Sequence, residues 1–446
     1  MLDVVTEQGI LDPFDATRDG AWTANEAAHL LGRAQFGFSS AELDLALTTG
    51  LTATLERLLA PQAETAEFQQ ANSALLKVAF ATGSITDLKI WWLYRMWSSA
   101  NPLAEKMALF WHNHFATSNS KVQSVIQMHA QNELIRQHGL GDFQRLLHGM
   151  SRDTAMLVWL DGNANRKRHP NENFAREIME LFALGVGNYT ERDIQEAARA
   201  FSGWHVRDGA FWFNLTQHDS SSKTVFGKTG NLDGTAVVDL CLQQPACPRF
   251  LAMKLLKSFV CPDPTAGMID VVAERIRAHQ FVMLPVLREL LSSRLFFLPG
   301  HRRSIIKSPL DLVVGSLKSL AVTVKWPAVA TLLANLGQDV FEPPSVKGWE
   351  GGRLWINSSS ILQRTNFATE LASGEQFSGR LQSITEETDD ADAVAAKLER
   401  LLLGGVVDAE LHASIVAHQK GADGNATQKR RSTLQLLLSL PEYQLH

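Results

Sequence analysis

The sequence predicts an all-α, mainly helical fold: a multi-helix globular array with one small β-hairpin insertion near 204–226. Three observations predict it. Apolar residues recur at three- and four-residue spacing along most of the chain, as a helix with one buried face requires. Hydroxyl residues precede several of these runs with a carboxylate three positions on, a pattern that satisfies the free amides of a first helical turn. One stretch, 204–226, departs from this pattern, with alternating aromatic residues beside a turn dipeptide. No repeat of 20–50 residues is visible, which argues against a solenoid.

Taken in order, Thr23-x-x-Glu26 and Ser39-x-x-Glu42 open helices near 24–34 and 40–60. A helix near 66–82 follows, then one near 85–99 opened by Ser84-x-x-Asp87. Asn101-Pro102 sets an N-cap before a proline at the first helical position and opens 102–116. Helices near 121–138, 142–149 and 153–160 lead to a polar, turn-rich loop at 161–171 (DGNANRKRHPN). Helices near 172–185 and 190–202 come next, the second opened by Thr190-x-x-Asp193. Asp208-Gly209, with Phe211 and Phe213 alternating after it, marks the hairpin, and a polar loop runs on to 226. Further helices fall near 236–243, 248–259, 266–278, 283–292, 309–321 and 327–336. The loop 342–358 (EPPSVKGWEGGRLWINS) carries Pro-Pro, three glycines and two tryptophans. Loops of this kind on a helical scaffold are where binding residues tend to sit. Helices near 359–371, 389–403, 408–418 and 427–439 complete the chain, with an acidic linker expected at 373–392. The expected organisation is an N-terminal helical subdomain (1–160), a central region with the motif helix, hairpin and Gly/Trp loop (161–372), and a C-terminal helical segment (373–446), all within one continuous domain.

At 446 residues, with 45% hydrophobic and 20% charged, the chain can bury a large core. A net charge of -5 gives no electrostatic basis for binding nucleic acid. The basic runs Arg166–Arg168 and Lys429–Arg431 read as solvated ends of loops or helices. Three cysteines, Cys241, Cys247 and Cys261, do not make a disulfide framework. A Cys241–Cys247 pair is left open. No run of about 18 apolar residues predicts a transmembrane helix. The acidic N-terminus lacks the charged start and apolar core of a signal peptide, so a cytoplasmic location is expected, or export if a leader has been removed. Trp91, Trp92, Trp97 and Trp111 read first as core packing.

Five places carry candidate chemistry. The first is His112-Asn113-His114. At 100° per residue His112 points about 160° away from His114, so one helix cannot offer both to a single metal. The second is the block NENFAREIMELFALGVG (171–187). Phe174, Ile178, Leu181 and Phe182 form a core stripe. Asn173, Glu177 and Glu180 follow i, i+4, i+7 on the adjacent face, a column suited to a hard cation or an acid–base pair. Against this, Glu172, Arg176 and Glu180 form a charge ladder that stabilises a helix on its own. The third, the helix 190–204, reads as mainly structural. The fourth is His218-Asp219 with Lys223, in the loop after the hairpin. The fifth is the Gly/Trp loop, where Trp349, Trp355 and Asn357 suit a stacking floor for a ring. Motifs for a di-iron centre, zinc protease, nucleophile elbow, phosphate loop or dinucleotide fold are absent.

The segments HLLGRAQFGFSSAEL (29–43), NPLAEKMALFWHNHFATS (101–118), NENFAREIMELFALGVGNYTERDIQEAARAFSGW (171–204), HDSSSK (218–223), KSPLDLVVG (307–315), GQDVFEPPSVKGWEGGRLWINS (337–358) and LSLPEYQ (438–444) give the chain its resemblance to a bacterial family, domain of unknown function 1800. They occur in the family's order and span nearly the whole chain. The resemblance implies a largely helical bacterial protein and supplies no reaction.

Two functions are expected from the residues. One is an enzyme in which His112, Glu177, Glu180, His218 and Asp219 do the chemistry. Asn171, Asn173, Arg176, Lys223, Trp349, Trp355 and Asn357 would then bind a carbohydrate or other polymer for hydrolysis or oxidation. The cofactor is left open, with a divalent cation as the candidate. The other is a binding or assembly factor whose charged helices are salt-bridge networks and whose Trp loop meets a partner protein. Oligomeric state is not readable.

Overall fold

Helix starts were the most legible feature of the chain, and the computed structural model forms most of them where the sequence predicts, although Asn101 gives α5 no side-chain cap and accepts the Gln62 N–H (2.7 Å) instead. It describes residues 9–374, 388–405 and 407–446. The expected acidic linker at 373–392 lies largely outside the described residues. Eighteen helices run from α1 to α18 up to residue 373. The first five are α1 (Ala24–Ala34), α2 (Ser40–Leu59), α3 (Ala66–Thr82), α4 (Ile85–Ser98) and α5 (Pro102–His114). Next come α6 (Asn119–Val122), α7 (Val125–His138), α8 (Phe143–Ser151), α9 (Thr154–Trp159), α10 (Glu172–Glu177) and α11 (Glu191–Phe201). After the β insertion follow α12 (Gly234–Gln243), α13 (Ala246–Phe259), α14 (Ala266–Ala278), α15 (Met283–Ser292), α16 (Pro309–Ser319), α17 (Trp326–Asn335) and α18 (Ser358–Ser373). Helices Ala391–Leu402, Ala409–Gly421 and Ala426–Ser439 follow. None among the described residues is long and apolar enough to cross a membrane.

Thr23/Glu26, Ser39/Glu42 and Thr190/Asp193 form reciprocal capping boxes. Ser84 caps α4, but Asp87 turns to the Thr82 hydroxyl instead of closing a box. The helix expected at 121–138 is two, because Gln123 adopts a left-handed conformation (φ 52°) between α6 and α7. Gly50 (φ 80°) kinks α2 in the same way.

Strands β1 (Trp204–Arg207) and β2 (Ala210–Phe213) pair antiparallel across Asp208-Gly209. Both turn residues have positive φ, 52° and 75°, as a two-residue hairpin requires. The loop expected after it holds a second antiparallel pair, β3 (Lys223–Val225) with β4 (Lys228–Gly230).

One apolar cluster runs from Ile10 to Tyr443. Trp91, Trp92 and Trp111 are buried in it. All three cysteines are buried free thiols, so Cys241 and Cys247 are not paired. A buried carboxylate, Glu105, fixes α5 to its neighbours. It accepts from Arg95 (2.9 Å), Arg136 (2.9 Å) and the Trp92 indole (3.1 Å). The elements that matter next are α5, α10, α13 and the Gly/Trp loop, which this core holds together.

Candidate functional site

Helix α5 ends in His112, Asn113 and His114, and successive residues on a helix leave it about 100° apart. Each of the three grips a different segment. His112 is buried, and its Nε2 accepts the N–H of Phe341 at 3.1 Å. Phe341 sits in the left-handed region (φ 65°), a costly conformation for a side chain of its size. The proton of the neutral ring is therefore on Nδ1. Burial pushes this imidazole down to about 3.

Asn113 clamps the Gly/Trp loop with both ends of its amide. Its Oδ1 accepts from the Trp349 N–H at 2.6 Å, and its Nδ2 donates to the Trp349 carbonyl at 3.1 Å. Gly348 (φ 75°) makes this approach feasible. A Cβ there would clash with Asn113 Oδ1.

His114 reaches the motif helix, donating from Nε2 to the Phe182 carbonyl at 2.9 Å. Nδ1 then carries the lone pair, and it has no partner among the described residues. Burial, with the charge of Lys254 adding to it, holds His114 well below the ordinary histidine range.

His114 and Asn113 line a cavity of about 350 Å³ between α5, α13 and the Gly/Trp loop. Trp349 and Trp355 supply apolar wall. Its cations are Lys106, Lys254, Lys257 and Lys347, and its carboxylates are Asp311 and Glu350. Lys106 is neutralised by a close pair with Asp311. Lys254 has no carboxylate partner among the described residues, and its ammonium lies over the Phe250 ring, 4.8 Å from the centroid. Burial lowers it to about 8.

The motif helix borders this site. Asn171 caps α10 by accepting from the Asn173 N–H (3.0 Å), and Asn173 donates weakly to the Leu160 carbonyl (3.4 Å). At Ile178 the helix widens into a π-helix, Ile178–Leu184. Such wide turns are rare and recur at functional sites. Phe174, Ile178 and Phe182 are buried, as the predicted stripe requires, and Leu181 is partly so. Arg176 turns outward to Glu191 (2.7 Å) and Glu172 (3.4 Å), leaving the other two glutamates. Glu180 takes a short hydrogen bond from the Tyr189 hydroxyl. Glu177 is half-buried, with no hydrogen bond or ion pair among the described residues. Burial and the charge of Glu180 raise its pKa, opposed by Arg176 and Lys347. Lys347 belongs to the cavity wall, so Glu177 lies within electrostatic reach of its rim.

The other predicted residues are engaged elsewhere. His218 is buried and donates from Nδ1 to the Ser202 carbonyl (2.9 Å). Asp219 holds Arg199 (2.7 Å) and takes a short hydrogen bond from Ser221. Burial raises its pKa, but these hydrogen bonds prevail and hold it well below the usual carboxylate range. Lys223 donates to the Ser221 carbonyl (3.0 Å). Asn357 caps α18 through the Ser360 N–H (2.9 Å). Of the predicted residues, Trp349 and Trp355 line the cavity, whereas His112, Glu177, Glu180, His218 and Asp219 do not. Among the described residues no three His, Cys, Asp or Glu side chains are grouped to hold a metal ion.

Lys254, Lys106 and the free nitrogen of His114 escaped the sequence reading. Lys254 lies in an ordinary amphipathic run, and nothing in that run marks it. Asp311 was visible only inside the block KSPLDLVVG.

The family model described as "Protein of unknown function (DUF1800)" matches residues 29–445. No curated protein and no solved structure matches the chain.

Proposed function

The chain belongs to the DUF1800 family, and on that footing we propose that it is an acid–base enzyme acting on an acidic carbohydrate, or a similar ring-bearing anion, in the cavity beneath the Gly/Trp loop. One observation carries the reading. Lys254, an ammonium without a counterion, shares that cavity with the two loop tryptophans and the unpartnered nitrogen of His114. Lys254, Lys257 and Lys347 would attract the carboxylate of the ligand. Trp349 and Trp355 would meet its sugar faces. The unpartnered Nδ1 of His114 is the acceptor that a general base needs, beside the charged ammonium of Lys254. Glu177, raised by burial and without a hydrogen-bond or ion-pair partner among the described residues, stands outside the cavity lining but within electrostatic reach of Lys347 at its rim, and would be the second acid–base group for a ligand that extends past that rim.

Polyuronide oligosaccharides and their neutral counterparts test this. Binding is read from tryptophan fluorescence and cleavage from released reducing ends. Acidic chains should bind and be cut, Lys254→Met should weaken binding at least tenfold, and Glu177→Gln should lower turnover with binding kept. Equal behaviour of acidic and neutral chains would sink the proposal. A non-catalytic binding factor is the second reading, supported by Leu354, which the Gly/Trp loop leaves 63% exposed. Binding without any cleavage would select it.

A further inference from the structure

Beyond the Asp311–Lys106 pair lies a second cavity, of about 340 Å³, between α1, α16 and the C-terminal turn. Its charged lining is Arg302, Arg303 and Lys307 against Asp311 and Glu442. Several of these are already engaged. Arg302 pairs with Glu26 at 2.7 Å. Asp311 is taken by Lys106 and by the Ser308 hydroxyl (2.8 Å). Lys307 Nζ, by contrast, has no carboxylate or hydrogen-bond partner among the described residues. It lies 3.8 Å from the centre of the Tyr443 ring. Arg303 donates to the Leu403 carbonyl (2.6 Å) and has no ion pair among the described residues.

Two further guanidinium groups stand behind the wall. Arg33, fully buried, donates to the carbonyls of Phe259 (3.3 Å) and His301 (2.8 Å) and to the Ser304 hydroxyl (3.2 Å). Arg364 donates to the Gln444 side chain (2.8 Å) and the Lys307 carbonyl (2.9 Å). The Nε of each lacks a partner among the described residues. Arg33, Lys307 and Arg364 all feel Asp311, and Arg303 feels Glu442. With Lys106, five cations thus face two carboxylates. Excess buried charge of one sign is costly unless the groups lose protons or a counterion joins them. Burial takes Lys307 down to about 7, which marks its ammonium as a poorly compensated charge that a bound anion would stabilise.

We propose that this cavity binds a tetrahedral oxyanion, a phosphate or sulfate either free or carried on a larger ligand, against Lys307 and Arg303. An excess of more than one charge suits a dianion better than a single carboxylate. The volume admits such a group with several waters, each of about 30 Å³. The site is independent of the Lys254 cavity, because different ammonium groups hold the ligand.

Thermal melting of the full chain tests the proposal, with phosphate, sulfate and chloride at matched ionic strength. At a hundredfold excess over Kd, phosphate or sulfate should raise Tm by about 3 °C, with chloride ineffective. Lys307→Met should abolish the rise and, without anion, melt at or above the wild type, because a costly charge is gone. Lys254→Met should keep the rise. A sugar phosphate that far exceeds inorganic phosphate would identify a carried group, and an equal effect a free anion. Equilibrium dialysis of the wild type with labelled phosphate gives a check that no variant enters, expecting one phosphate per chain. No retained phosphate, a chloride effect equal to that of phosphate, or an undiminished response in Lys307→Met would overturn the site.

Discussion

Replacing His112 by glutamine should remove a measurable part of the protein's acid sensitivity. The ring is 1% exposed, and its Nε2 accepts the Phe341 N–H. Protonation would set a second N–H against that donor inside an apolar wall. Burial places the folded pKa at about 3, against 6.5 for the free side chain. The unfolded chain therefore takes up the proton first. Stability from this group is complete above pH 6.5 and falls as the pH drops towards 3, at about 1.4 kcal/mol per unit. Between pH 7 and pH 5 the loss works out at about 2 kcal/mol. Glutamine offers an acceptor at a similar reach and does not titrate. Urea unfolding of both proteins at the two pH values gives the difference. Asp153, raised to about 6 by burial, contributes with the opposite sign, but it is common to both proteins and cancels. An identical pH dependence in wild type and variant would refute the argument and imply that His112 takes up its proton in the folded chain as readily as in the unfolded one.

Three other outcomes follow from the same contacts. Gly348→Ala should drive the Gly/Trp loop off Asn113, costing about 3 kcal/mol from strain and two lost hydrogen bonds; limited proteolysis should then cut within 342–358, and an uncut loop would count against the clamp. Glu105→Gln should destabilise by about 3–5 kcal/mol, because Arg95 and Arg136 would lose their shared buried carboxylate, as denaturant midpoints would show. Cys241, Cys247 and Cys261 should resist a thiol reagent in the native state and all react in urea, since burial raises each thiol, Cys247 to about 12.

Helices were legible because their signals are local. A hydroxyl and a carboxylate three residues apart report a helix start wherever they occur, and Thr23/Glu26 needs no distant partner to do so. The π-helix at Ile178–Leu184 was not legible, because counting at 3.6 residues per turn assumes the regularity that it breaks. The members of the column Asn173, Glu177, Glu180 also have different surroundings. Asn173 faces the Leu160 carbonyl, Glu180 holds Tyr189, and Glu177 stays unpaired. His112 and His114 were rightly seen as pointing apart, but their targets, Phe341 and Phe182, lie 229 and 68 residues away. Contacts of that range leave no trace in one sequence. The same holds for Lys254, which matters only because α13 meets α5 and the Gly/Trp loop at one cavity.

The widened turn also bears on how this chain tolerates changes in length. A π turn accommodates an extra residue that a regular helix would not. Deleting one position between Ile178 and Leu184 would let the segment close into ordinary helix, while the residues after Leu184 keep their place. The backbone could absorb that deletion locally. The Phe182 carbonyl, which lies inside the widened turn, would nevertheless swing away from His114. Related chains one residue shorter here should therefore differ at the position equivalent to His114, so a gap in the motif helix would be matched by a substitution 68 residues before Phe182.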